Sequence, residues 1–306
     1  MLDDVLSIAA STLAVVILAA APILMGCDEG LGSREGADRP FTIYGVFTPD
    51  HDTQSVLVYP IEDFPSQGSP EPLDANVYSI NLSTGERTMW RDSVLAHTDS
   101  SFTHAYWAPF RADHGERYRL VVERSDGAAS SVEVQVPEPV SISLLDESNA
   151  GRVRIGVEGA DTRLLTPEIK YRVYKLERNR REYTISYAGS EVQEADGWHI
   201  TINMVRDATQ INFLYNGQEM TLGGICREDF VILESLRLRA IIGDPVWEPP
   251  DGIFDPDLIS NPVAMSNVEN GYGFVGAGYR IDELLCPSEE LVAGSCMLDG
   301  VDCRRE

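Results

Sequence analysis

Lysine is almost missing from this chain. Only Lys170 and Lys175 occur, against twenty-two arginines, and together the basic residues are outnumbered by 49 acidic ones, for a net charge of −25. A field of that sign repels nucleic acid and anionic lipid surfaces, which both require clustered positive charge. It is also what a solvated acidic surface looks like in proteins from salty habitats, where short screening lengths make self-repulsion tolerable. The common catalytic signatures are missing too. No HExxH, GxSxG or CxxC occurs, so zincin, serine-hydrolase-elbow and zinc-ribbon chemistry have no sequence support. The five histidines, His51, His97, His104, His114 and His199, are scattered. His97, Asp99, His104 and Asp113-His114 lie close enough in sequence for two of them to meet on a metal, but surface-loop roles fit them better.

What the chain does have begins with an uncharged run from Val5 to Met25, followed by Gly26-Cys27. At about 1.5 Å per residue the run nearly matches a bilayer core. Leu24-Met25-Gly26-Cys27 resembles a lipobox, with leucine three places before the cysteine and a small residue directly before it. Residues 1–26 are therefore read as a lipoprotein signal peptide, with Cys27 as the lipidation site. The start departs from the usual pattern in carrying Asp3 and Asp4 and no positive charge. An uncleaved anchor and a freely secreted product are the alternatives. Each buried acyl CH₂ contributes roughly 0.8 kcal/mol, and stable anchoring needs more than one chain, which the resemblance to lipoproteins implies. Residues 27–40 read as a flexible acidic tether. Asp28-Glu29 after the cysteine resembles surface-export signals of some Gram-negative bacteria; in others aspartate there implies inner-membrane retention.

Four further cysteines remain, Cys226, Cys286, Cys296 and Cys303. An even number in an exported chain makes them disulfide candidates, with three connectivities open, and free thiols are the competing reading. Three lie in residues 286–306, read as a loop-rich, stapled tail.

The body reads as mainly β. Between Phe41 and Pro137 seven short alternating runs recur, among them FTIYGVF, SVLVYPI, ERYRLVVE and SSVEVQV, separated by turn-forming stretches. That spacing predicts an immunoglobulin-like β-sandwich over 41–137. Tyr118, entering a late strand after Gly115, resembles the tyrosine corner of such domains; no Cys…Trp…Cys core accompanies it. Val136-Pro137-Glu138-Pro139 predicts an extended linker. Residues 140–285 then form a second β-rich domain with one or two helices. Phe230, Leu233, Leu236 and Ile241 approach helical spacing, which predicts a helix over Asp229–Ile242 ended by Asp244-Pro245. A last strand-like run spans Gly271 to Tyr279.

The string from Asn261 to Gly276, NPVAMSNVENGYGFVG, resembles the C-terminal signature of an uncharacterised bacterial lipoprotein family. Its members carry a phrase like SNIENGLGIFG, here centred on Asn267, Glu269, Asn270, Gly271 and Gly273. The layout of lipobox, immunoglobulin-like domain and second β-rich domain is similar as well. The resemblance implies a Gram-negative cell envelope and a gene neighbour encoding a TonB-dependent, starch-utilisation-type receptor. It implies a location and a partner, and no reaction.

Other local patterns weigh less. Gly271 to Gly276 matches GxGxxG, but a dinucleotide fingerprint needs a βαβ unit around it, so a glycine-rich strand packed close to another backbone is the reading, and no cofactor is expected. Asp251, Asp255 and Asp257 share one loop that could hold calcium, without the EF-hand ligand order. Lys170 to Arg181 is the only basic cluster, and its arginines are expected to pair with surface carboxylates rather than bind nucleic acid. Trp90 and Trp107 suggest a glycan platform, with core or edge packing favoured. The expectation is a non-enzymatic, lipid-anchored outer-membrane protein that binds or scaffolds beside a TonB-dependent nutrient receptor. A surface-exposed hydrolase or glycan-processing accessory enzyme is the alternative.

Overall fold

Period-two alternation turns most of this chain into strands, and two four-stranded sheets cover the two halves of one long sheet. The computed structural model describes residues 39–61, 68–148, 151–175, 179–195, 197–216, 231–247, 265–295, 297–299 and 301. These fall in one compact unit. The first half contains β1 (Phe41–Phe47), β2 (Gln54–Pro60), β3 (Asn76–Asn81), β4 (Arg87–Met89), β5 (Arg91–Ala96), β6 (Phe102–Ala108), β7 (Arg117–Glu123) and β8 (Ala129–Gln135). Then follow β9 (Ser141–Ser148), β10 (Arg152–Glu158), β11 (Leu164–Tyr174), β12 (Arg181–Ser186), β13 (Glu191–Glu194) and β14 (Gly197–Asn203). Helix α1 (Met204–Asn216), β15 (Ile232–Gly243), a 3-10 turn at Pro245–Trp247, β16 (Gly271–Leu285), α2 (Glu289–Gly294) and β17 (Leu298–Asp299) complete the chain.

The long sheet runs β12-β11-β15-β16-β1-β2-β6-β5, with β17 beside β15. Sheet β4-β3-β7-β8 closes the first sandwich and β13-β14-β10-β9 closes the second. Burial follows the alternation seen in the sequence. Tyr118, Leu120 and Val122 of β7 and Val132 and Val134 of β8 point inward, while Glu133 faces out and pairs with Arg117 and Arg119. The tyrosine corner forms: the Tyr118 hydroxyl accepts the Asp113 N–H at 3.1 Å.

The sandwiches share a strand. The first half of β16 runs parallel to β1, from Phe41↔Gly271 to Phe47↔Ala277. Its second half runs antiparallel to β15, from Gly243↔Gly278 to Leu236↔Leu285. Val275 and Ala277 accordingly belong to the first core, and Tyr279, Ile281 and Leu285 to the second. A boundary near residue 137 therefore omits a piece: the sandwich expected over 41–137 takes a strand from the far end of the chain. The linker between them is also pinned. The Tyr279 hydroxyl accepts the Val140 N–H at 2.9 Å and donates to the Glu138 carbonyl at 3.0 Å, and His114 meets the Pro137 carbonyl at 2.8 Å.

Three local expectations fail. Residues 232–243 are strand β15 and not a helix. Leu236, Leu238, Ala240 and Ile242 alternate inward, but a bulge opposite Arg172/Val173 shifts Leu233 out of phase and imitates helical spacing. The long helix lies earlier, at Met204–Asn216, where the sequence pattern suggests a strand running on to Met204. Asn203 accepts the Arg206 N–H at 3.1 Å, as an N-cap does, and Met204, Ala208 and Ile211 form the buried face. The tail after Cys286, expected to be loop-rich, holds α2. Ser288 caps it by accepting the Leu291 N–H, and Leu291, Val292 and Met297 enter the second core.

Candidate functional site

The family-like motif turns out to be a device for threading β16 between its neighbours. Opposite edges of a strand alternate along its length, so the edge of β16 that β15 covers from residue 278 onward lies bare before it. Side chains fill that gap. The Asn267 side chain donates to the Val275 carbonyl at 2.7 Å and accepts the Val275 N–H at 3.0 Å. Asp244 accepts the Ala277 N–H at 3.0 Å through its carboxylate, and its own N–H donates to the Ala277 carbonyl at 2.9 Å. Burial pushes the Asp244 carboxyl up to about 7, well above the ordinary value, because the charged form loses its hydration there.

The other motif residues finish the turn into the strand. Glu269 bridges to Ser131 through backbone bonds in both directions. Asn270 adopts φ +50, in the left-handed region that asparagine tolerates, and its carbonyl accepts the Ser130 hydroxyl at 2.7 Å. Gly273 has φ +104, and any Cβ there would collide with the Ile43 carbonyl of β1. A Cβ at Gly271 would lie 2.7 Å from the Phe41 carbonyl. The first two glycines of the GxGxxG pattern therefore reflect backbone-to-backbone approach between β1 and β16, and among the described residues no βαβ unit surrounds them.

Gly243 and Gly276 serve something different. A Cβ on either would meet the indole of Trp247, at 2.7 Å and 2.6 Å respectively. The ring lies on these two glycines, donates from Nε1 to the Ala277 carbonyl at 2.9 Å, and stands edge-on to Phe274 with centroids 5.0 Å apart. Beside it opens a cleft of about 490 Å³, lined by Val46, Thr48, Asp50, His51, Ile241, Trp247 and residues 278–280 and 282 of β16. A smaller recess of about 220 Å³, sharing Ile241 and Arg280 with it, adds Thr166, Glu168 and Arg239. Thr166 is held at φ +48, a strained conformation for a β-branched residue, at the bulge where β11 re-registers on β15.

The charged lining is largely self-matched. Arg239 pairs with Glu168 at 3.1 Å and with Asp282 at 3.5 Å, and Arg237 pairs with Asp282 at 2.5 Å. Asp50 accepts the backbone N–H of Arg280 at 2.9 Å. The carboxylates of the cleft thus already hold structural partners, and this junction could not be found from the sequence because its residues come from four separate stretches.

The remaining sequence candidates do not converge. His104 is buried against Asp92 at 2.9 Å and the Ser69 carbonyl at 3.0 Å, and His97 meets Thr103 at 2.9 Å. Among the described residues no group of His, Cys, Asp and Glu could hold a metal ion. Trp90 is buried in the first core and donates to Ser79, and Arg91 lies over the Trp107 ring, so the two tryptophans form no shared platform. Lys170 and Arg172 pair with Glu182, whose carboxyl they hold below its ordinary range. A cluster that sequence reasoning missed joins α1 to the second core. The buried Asp207 carboxylate accepts Tyr171 at 2.7 Å and also Tyr187, with Arg206 on its other oxygen. Burial and the adjacent carboxylate push the Tyr171 phenol well up, so it remains a neutral donor that fastens the helix.

Cys286 is disulfide-bonded. Cys27, Cys226, Cys296 and Cys303, and the aspartates Asp251, Asp255 and Asp257, lie outside the described residues. No helix among the described residues is long and apolar enough to cross a membrane.

No family model matches the chain, and no curated protein does. Among solved structures it is similar to the pullulanase of Anoxybacillus sp. LM18-11 complexed with maltotriose, at 14% identity over 66% of this chain and 23% of that one, with a TM-score of 0.21. A second structure of that pullulanase gives 13% identity, 72% and 28% coverage and a TM-score of 0.23. Bovine butyrophilin gives 11% identity over 81% of this chain and 100% of that one, with a TM-score of 0.20. The chain thus spans about a quarter of the pullulanase, and likenesses this slight carry no argument about function.

Proposed function

We propose that this chain is a non-enzymatic binding protein of the outer membrane, lipid-anchored through Cys27 and serving a TonB-dependent nutrient receptor. The observation that carries the binding role is the cleft at the junction of the sandwiches, where a fixed indole and an arginine face about 490 Å³ of open space. A volume of that order suits a small ligand. The carboxylates around the cleft are committed to Arg237, Arg239 and the Arg280 backbone, which favours holding a ligand over acid–base chemistry.

The placement of the cleft supports tethered capture. The chain enters the body at Arg39, a dozen residues after Cys27, so the tether reaches at most roughly 40 Å. The cleft lies at the other end of β1, roughly 20 Å further along the strand. A ligand site carried away from the point of attachment remains open while the lipid confines the body beside a receptor. Confinement raises the effective concentration, so even a weak contact persists.

Two measurements test this. Cys27→Ser should move the protein from the membrane to the soluble fraction, and unchanged pelleting would remove the anchor. Affinity capture from gently solubilised outer membranes should recover a TonB-dependent receptor; recovery of none, where other such pairs survive, would remove the partnership.

A further inference from the structure

Arginine is the main cation of this protein, and among the described residues each arginine but one has its guanidinium or side chain engaged. Arg237 and Arg239 take Asp282 and Glu168, Arg206 takes Asp207, and Arg39 and Arg87 lie over tyrosine rings. Arg280 is the exception. Its backbone N–H is held by Asp50, but its guanidinium meets no carboxylate, carbonyl or aromatic ring among the described residues. In a chain of net charge −25 acidic partners are abundant, so an unmatched arginine is a departure from the pattern of the whole surface.

Its position is equally particular. Arg280 lines both the 490 Å³ cleft and the 220 Å³ recess, at the point where they meet. Asp50 fixes its main chain, so the root of the side chain does not wander. Trp247, immobilised on Gly243 and Gly276, lines the same cleft. A planar guanidinium offers a fork of donors that matches a carboxylate in two parallel hydrogen bonds. A held indole offers a flat apolar face.

Resting on the binding role proposed above, we infer that this cleft takes a small organic carboxylate with a ring face, the carboxylate on Arg280 and the ring against Trp247. Sugar acids and aromatic acids share that chemistry, and the volume suits one to two rings.

The test uses the purified mature chain and follows the Trp247 indole N–H by NMR, its signal assigned by Trp247→Phe. Benzoate and glucuronate are titrated against their neutral counterparts, benzamide and glucose. At least one carboxylate should give a saturable shift that its neutral counterpart does not, and which of the two does so identifies the ligand source. Arg280→Gln should weaken binding by about tenfold or more, as expected for the loss of a charge-assisted pair. Arg280→Lys, which keeps the charge without the fork, should fall between. Both variants should unfold as the parent does, since the Arg280 guanidinium has no partner among the described residues. The inference is overturned if neither carboxylate shifts the signal, if the neutral counterparts match them, or if Arg280→Gln binds as tightly as the parent. Such a failure, with Cys27-dependent membrane retention and receptor capture intact, would remove the ligand class alone. Retention or capture failing while the titration succeeds would remove the anchored receptor role and leave the site.

Discussion

Replacing Asn267 by alanine gives the sharpest test of how β16 is held. The asparagine amide occupies the place of a missing neighbouring strand, satisfying both the N–H and the C=O of Val275. Val275 is fully buried, so water does not replace those bonds directly. An orphaned buried backbone group costs about 1–3 kcal/mol. Two such groups, discounted because Asn267 itself is only half-buried, give a loss of about 2–4 kcal/mol. Urea unfolding followed by tryptophan fluorescence should show the midpoint falling with an unchanged slope. The neighbouring Ser266→Ala, at an exposed position, should change stability by less than about 0.5 kcal/mol. Trp247 rests on Gly276, next to Val275, so its fluorescence should also report a looser ring in the Asn267 variant. A loss below about 1 kcal/mol, or equal losses at 266 and 267, would refute the view that this amide stands in for a strand.

Three further outcomes follow from the same junction. The Asp244 carboxyl is raised to about 7, so the folded state favours its neutral form; its contribution is fully present below the ordinary aspartate range and is lost as pH rises through about 7. A carboxyl raised that far contributes on the order of 4 kcal/mol, so Asp244→Asn should flatten the fall in urea midpoint between about pH 4 and about pH 8, and an unchanged pH slope would count against it. Gly273→Ala combines a φ of +104 with a collision on the Ile43 carbonyl and should cost more than about 3 kcal/mol in thermal or urea unfolding, whereas Gly85→Ala, with a φ of +76 but no atom within 4 Å, should cost about 1 kcal/mol; equal losses would refute the packing argument. A fragment of residues 41–137 lacks Val268, Val275 and Ala277 and leaves β1 as an open edge, so it should show no cooperative unfolding, while the full chain unfolds in one transition; a cooperative fragment would overturn the shared-core view.

The first sandwich is legible in the sequence because its strands alternate cleanly, as in Val132, Val134 and Val136, and because Tyr118 marks the corner. The strand it borrows is legible only as a strand-like run, since nothing local in Gly271–Tyr279 says that its partner lies 230 residues earlier. Strand β15 reads as a helix because one bulge moves Leu233 out of phase with Leu236. Helix α1 is readable in principle, from the Asn203 cap and the spacing of Met204, Ala208 and Ile211, but the alternation of WHITINM runs straight into it. The motif residues stand out in the sequence, and the structure gives them a physical role in seating β16. The cleft is not legible, because Asp50, Thr166, Trp247 and Arg280 acquire a common site only once β16 crosses between the sheets.

That crossing links the fold to the proposed site. A strand that changes partners midway must pass a point where one neighbour ends and the next begins, and there the sheet has neither a continuous edge nor a continuous face. Here Asn267 and Asp244 repair the edge, while Gly243 and Gly276 leave a bare face on which Trp247 lies. The cleft is bounded by what remains around that repair. Its walls are therefore tied to both cores, through Val275 and Ala277 on one side and Tyr279 and Ile281 on the other. The indole is tied to β16 through its bond to the Ala277 carbonyl, three residues from Arg280, so both groups are referenced to one strand that two sandwiches hold. The ring side of the proposed site is therefore in place before any ligand arrives, and the ordering cost falls mainly on the exposed Arg280 side chain, at about 0.5–1.5 kcal/mol, which the guanidinium–carboxylate pair must exceed.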